Sequence, residues 1–262
     1  PALRLSYPEN KVITTQINGH PVGTIKDTLN AFNHVTVSGI IQNTLGEKLT
    51  NFNGVVYPSV YDKKTITTTL GNDPGSYPAT YNIQKSILYK GKVSVINGEF
   101  TFSFIVPKDI SYNYGVGRIS YYAEDGQTNA NGYYENEHFI IGGTSNLILN
   151  DSKGPDIELY LNDTNFVFGG TTDESPVLIA HLNDISGINT AGNGIGHDIV
   201  AVIDDNTDRS VVLNDYYEAD LDSYQTGKVR YPFAKLSDGM HTLKLKVWDI
   251  YNNSSEKIIE FI

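Results

Sequence analysis

The stretch Lys92-Val93-Ser94-Val95-Ile96-Asn97-Gly98-Glu99-Phe100-Thr101-Phe102-Ser103-Phe104-Ile105-Val106 decides the fold class. Apolar and polar residues alternate on both sides of Asn97-Gly98, the pair that favours a two-residue type I′ turn. If Ile96 faces Glu99, then Val95 faces Phe100 and Val93 faces Phe102. Phe104 and Val106 continue that apolar side, while Lys92, Ser94, Thr101 and Ser103 take the other. A slip of one residue would turn the whole apolar set to water, so turn and pattern specify one register. The expectation is antiparallel sheet with one solvated face.

Working outward, similar short runs recur along the chain. In the first half they are 12–17, 34–41, 54–61, 85–96, 99–106, 117–123 and 138–141. In the second they are 157–161, 177–182, 198–203, 211–213, 229–233, 241–248 and 257–262. Turn clusters such as Gly71-Asn72-Asp73-Pro74-Gly75 and Asp125-Gly126-Gln127-Thr128-Asn129 separate them. About seven short strands per half at such spacing predicts an all-β chain, two immunoglobulin-like antiparallel β-sandwich domains in tandem. Residues 150–155, Asn-Asp-Ser-Lys-Gly-Pro, read as the linker. The expected domains are 1–149, with 1–8 the tail of an upstream domain, and 155–262. Helical periodicity is nearly absent; 26–32 is expected to form a turn or two of helix.

Charge divides along the same line. Residues 1–150 hold 11 acids and 11 Lys/Arg, whereas 151–262 hold 19 acids and 8 Lys/Arg, which accounts for the whole net charge of −11. An acidic half argues against nucleic acid as a partner, because phosphate contacts need a basic face. No apolar run of 20 residues occurs, so membrane insertion by a helix is not expected. The chain contains no cysteine, which excludes disulfides, thiolate metal sites and a cysteine nucleophile. It begins without methionine, in mid-phrase, and reads as a piece of something longer.

Few motifs carry chemistry. There is no Gly-x-Ser-x-Gly elbow, and the six histidines never pair at metal-ligand spacing. His181 reads as a sheet-face histidine, and His197 with Asp198 as caps of the glycine-rich loop 187–199. Trp248 falls by parity on the face of Thr242, Lys244 and Lys246, as a lid on a strand end. The sharpest metal signal is calcium: Asp204-x-Asn206-x-Asp208 places oxygen ligands at alternate positions, and Asp215 falls at the twelfth position of that count. Against it, Arg209 stands where such a loop needs glycine and the flanks read as strands. No other cofactor is expected. The acidic pair Asp204-Asp205 is read as pointing to opposite faces of a strand, unlike a glycosidase pair. Tyr112, Tyr114, Tyr121, Tyr122, Tyr133 and Tyr134 crowd one region, and half of them should be exposed. Such rings beside asparagines suit carbohydrate or protein contacts.

Several phrases carry a resemblance. Pro1-Ala2-Leu3-Arg4-Leu5-Ser6-Tyr7-Pro8 resembles the tail of the catalytic domain in the gingipain family of cysteine peptidases. Asn51-Phe52-Asn53-Gly54-Val55-Val56-Tyr57-Pro58 and the run 89–110 resemble the sandwich that follows it in the gingipain-like sortase of the type IX secretion system. Phrases 187–199, 221–224 and 241–249 are similar to that protein's next module. The resemblance implies a bacterial surface peptidase that trims C-terminal sorting signals from secreted cargo, located at the cell surface or outer membrane in Bacteroidetes. Its catalytic cysteine and histidine would lie upstream, so this segment is expected to be non-catalytic. The implied partners are the upstream catalytic domain, the outer-membrane secretion machinery and delivered cargo. The alternative reading is a carbohydrate-binding or adhesin module of a bacterial surface protein.

Overall fold

The computed structural model describes residues 7–146, 151–191 and 196–262. The phrase 1–6, part of the linker at 150 and loop residues 192–195 lie outside the described residues. The chain is all-β; among the described residues the helical content is two single-turn 3-10 helices, Thr207–Arg209 and Asn214–Tyr216. Among the described residues, no helix is long and apolar enough to cross a membrane.

The first half is dominated by a nine-stranded sheet. Its order runs Glu99–Ile105, His34–Gln42, Asn10–Ile17, Asn129–Tyr134, Arg118–Glu124, Gly54–Tyr61, Ile87–Lys90, with Val93–Val95 also on Gly54–Tyr61 and His20–Pro21 on Asn10–Ile17. The opening hairpin is reproduced in its turn and faces, and corrected in its ladder. Asn97 and Gly98 have φ of 52° and 73°, and Ile96 and Glu99 exchange backbone hydrogen bonds at 2.9 and 3.0 Å. Val93, Val95, Phe100, Phe102, Phe104 and Val106 are all buried. Beyond the turn, however, the strands part. Glu99–Ile105 pairs with His34–Gln42, while Val93–Val95 pairs with Gly54–Tyr61 at the far end of the same sheet. The sheet is rolled until its two ends meet at a two-residue corner, and this is the physical reason the apolar faces still converge.

Other expectations needed revision. Residues 26–32 contain no helix; Asp27–Ala31 is a strand, buried at 27, 29 and 31. So short a segment cannot sustain a helix alone, and it docks parallel to Phe139–Thr144. Together with the short parallel contact between Asn10–Ile17 and Asn129–Tyr134, this tempers the purely antiparallel expectation. The run 85–96 breaks at Gly91-Lys92 into two strands. A ribbon of Thr65–Thr68 and Thr80–Ile83 stands apart from the other sheets, and both it and Tyr217–Ala219 are strands beyond the runs read from the sequence.

The second half is the simpler sandwich. Asp156–Leu161, Val177–Asn183, Thr226–Pro232 and Tyr217–Ala219 form one sheet; Val211–Val212, Val200–Ile203, His241–Trp248 and Ser254–Phe261 form the other. Leu159, Leu161, Leu178, Leu182 and Val229 meet Leu243, Leu245, Val247 and Phe261 between them. A separate apolar cluster fills the first half, and a third, of Ile105, Ile250 and Tyr251, lies between the halves with Phe32 and Tyr224 against it. Burial at ~25 cal/mol per Å² of apolar surface makes these clusters the main source of cohesion.

Candidate interaction site at the junction of the two halves

Side-chain hydrogen bonds and an ion pair join the two halves where they meet. The junction begins at the edge of Val93–Val95 that the corner turn leaves unpaired. An exposed edge invites another chain, and here the second half fills it. The Asp222 carboxylate accepts from the Ser94 N–H and the Ser94 hydroxyl, each at 2.7 Å. The Asp222 N–H donates to the Lys92 carbonyl at 2.8 Å. Asp222 reaches this pose at φ 60°, a conformation short polar residues tolerate. Lys92 Nζ pairs with Glu218 at 3.0 Å, which raises the lysine and lowers the glutamate from their ordinary pKa values.

A second patch centres on Asp109, just past Pro107. Its carboxylate meets His197 Nδ1 at 2.6 Å and accepts from Asn252 Nδ2 at 2.8 Å and Asn189 Nδ2 at 3.3 Å. His197 therefore bridges to the first half rather than capping its own loop. It also lies 4.4 Å from the ring centre of Trp248, over which Lys246 sits at 4.9 Å; the lid reading of Trp248 fits this packing. Nearby, Phe32 stacks on Tyr251 at 4.8 Å and 19°. Phe32 holds φ 70°, an outlier for a bulky residue that surrounding contacts must enforce. The Lys108 N–H donates to the Ile250 carbonyl at 3.0 Å.

Below these contacts lies a carboxylate trio, Asp151, Asp184 and Asp249, with ligand atoms all within 4.8 Å of one another. Asp184 and Asp249 are buried. The Asp184 oxygen accepts from the Ser186 and Gly187 N–H groups at 2.7 and 3.1 Å. Asp249 accepts from Tyr251 N, Asn253 N and Asn253 Nδ2, and Ser186 Oγ donates to Asp151. Burial, reinforced by the neighbouring carboxylates, pushes Asp184 up to about 7 and Asp249 up as well. Such a cluster can share a proton or neutralise a cation.

The residues singled out for calcium are placed differently. Asp204 is spent on His241 Nδ1 at 2.7 Å and the Thr242 N–H at 2.9 Å. Asn206 precedes the 3-10 turn that contains Asp208, and Asp215 sits in the next one. Asp204, Asp208 and Asp215 are not brought together as the Asp151 trio is. Asp204 and Asp205 both have φ 53° and form a turn rather than strand positions, a correction to the face argument. The Ser237 carbonyl, then Asp204, raise His241. His181 is exposed on its strand, 3.6 Å from Glu158, as a sheet-face histidine. Of the tyrosines, Tyr121 is buried and Tyr112, Tyr114, Tyr122 and Tyr133 are exposed. Nothing local flagged Asp109 or Asp222, whose partners are 80 to 143 residues away; Asp184-x-Ser186-Gly187 alone carried a turn signature.

Fold and junction together define a cysteine-free, two-part β-sandwich segment whose parts are bonded to each other. No protein-family model matches the chain, and no curated protein does. Among solved structures it is similar to PorU from Porphyromonas gingivalis, crystallised as a latent dimer. The identity is 30%, over 99% of this chain and 24% of that one, with a TM-score of 0.54. The chain thus spans about a quarter of that protein. The fibronectin(III)-like modules of Clostridium thermocellum CbhA align over 96% of this chain and 93% of theirs, at 10% identity and a TM-score of 0.26.

Proposed function

We propose that this chain is a non-catalytic scaffold segment of a gingipain-like surface cysteine peptidase, the sortase of a type IX secretion system. It would hold the upstream catalytic domain in place and contact the outer-membrane machinery that delivers cargo. The observation that carries this reading is the likeness to PorU along 99% of the chain. The absence of cysteine fits a segment whose parent keeps its nucleophile elsewhere. The bonded junction fits a spacer that transmits position rather than a flexible tether. Cell-surface location, and trimming of C-terminal sorting signals by the parent protein, follow from the same reading.

The test starts from the coding sequence. A caspase-like domain with a cysteine and a histidine immediately upstream, whose signal-trimming activity in cells drops when this segment is deleted, supports the assignment. An unrelated upstream sequence, or full trimming without the segment, sinks it.

A further inference from the structure

We propose that the outer face of strands Asn10–Ile17, Arg118–Glu124 and Asn129–Tyr134 binds an acidic saccharide, with Arg118 receiving the sugar carboxylate. Alternation along Arg118–Glu124 buries Ile119, Tyr121 and Ala123 and turns Arg118, Ser120 and Tyr122 outward. The register sets Tyr61, Ser59 and Tyr57 beside those three on one side, and Tyr133 and Asn131 beside Ser120 and Tyr122 on the other. Lys11 lies next to Asn131. The result is a groove of about 830 Å³ lined by Lys11, Arg118, Ser120, Asn131 and Tyr133.

Arg118 is the unexplained group. Its guanidinium carbon sits 4.5 Å over the Tyr61 ring. Its Nε is buried without a hydrogen-bond partner, and no ion pair joins it or Lys11 among the described residues. Glu135 also lines the groove, but Lys64 engages it at 2.6 Å. In a chain of net charge −11, an arginine with no carboxylate partner among the described residues is conspicuous. Stacking on Tyr61 fixes the guanidinium plane, which presents its fork to a planar carboxylate. Tyr133, 74% exposed, offers a ring for the apolar face of a sugar. Ser120 and Asn131 supply groups for hydroxyls. An extended peptide has no comparable grip, because Arg118–Glu124 is paired on both edges and strand addition needs a free one.

The experiment is a titration of the intact, nitrogen-15-labelled chain with tetragalacturonate, followed by amide shifts. The expected result is saturable shifts confined to 118–122, 131–133 and 11–13. The fully methyl-esterified tetramer should bind at least about tenfold more weakly, as should the R118Q variant, a difference of ~1.4 kcal/mol. Tyr133→Ala and Lys11→Gln, both on the surface, should weaken binding several-fold with the remaining spectrum unchanged, which guards against a misfolded R118Q. Acetate and inorganic phosphate should bind far more weakly than the tetramer. Equal binding of the methyl ester, unaltered binding by R118Q, matching affinity for acetate or phosphate, or no shifts at millimolar tetramer would each overturn the proposal.

Discussion

One methyl group at residue 98 tests the corner on which the first half turns. Gly98 needs φ 73°, and a Cβ there would lie 2.3 Å from the Leu49 carbonyl oxygen. Gly98→Ala is expected to cost about 2–3 kcal/mol, from left-handed strain plus a backbone clash, read as a fall in the urea midpoint. Asp184 gives the pH prediction. Its folded pKa is about 7 against an ordinary 3.8, so between those values the folded chain holds a proton that the unfolded chain has released. The contribution is fully present below pH 4 and is lost as pH rises through 7; Asp249, also raised by burial, acts in the same sense. Asp184→Asn keeps an oxygen for the Ser186 and Gly187 N–H groups and removes repulsion by Asp249 and Asp151. It should raise stability at pH 8 by about 1–2 kcal/mol and flatten the profile between pH 4 and 7. A variant less stable than wild type at pH 8 would contradict this.

At the scale of elements, Val93–Val95 is the informative strand. It has one partner strand, Gly54–Tyr61, and its other edge is occupied by residues 221–222 of the second half. Asp222→Asn preserves the left-handed backbone but weakens the grip on Ser94, and should cost about 1 kcal/mol. The expected signature in hydrogen exchange is faster exchange at Ser94 and 217–224, with the Ile96–Glu99 turn unaffected. If Ser94 keeps its protection, the edge is satisfied in some other way and the docking argument fails.

At the scale of the whole molecule, the junction couples two cores. The Asp109 side chain is only 7% exposed there and serves His197, Asn189 and Asn252 at once. Asp109→Ala leaves those groups without their acceptor and should cost about 2–4 kcal/mol. It should also turn one calorimetric transition into two, because the cores then melt separately; a single unshifted transition would show that the halves do not communicate through Asp109. The uneven charge yields another outcome. Raising salt, or adding calcium, should slow exchange in 151–262 more than in 7–146 of the intact chain, since self-repulsion is confined to the acidic half. Equal responses to calcium in both halves would remove the idea of calcium binding, whether at Asp204, Asn206, Asp208 and Asp215 or at the trio.

Local chemistry by itself determined the all-β class, the Asn97-Gly98 turn, the inward face of the 92–106 stretch and the strand His241–Trp248 to the residue, because a period of two and a left-handed Gly turn are encoded in neighbouring residues. It also placed Trp248 on its outer face and His181 on the sheet surface. It misread Asp27–Ala31, where Leu29 and Ala31 alternate too briefly to outweigh helical propensity and a parallel partner more than a hundred residues away decides. The acidic spacing at 204–215 pointed to a metal loop, yet a turn at Asp204-Asp205 directs the first carboxylate to His241. Only the tertiary structure decided that the hairpin's strands separate into opposite ends of a rolled sheet, that Asp222 takes the vacated edge, and that three aspartates from the linker, a strand end and a hairpin converge. Those outcomes rest on which distant backbone edges are free to pair once the cores have closed, and hydrogen bonds spanning a hundred residues leave no trace in local sequence.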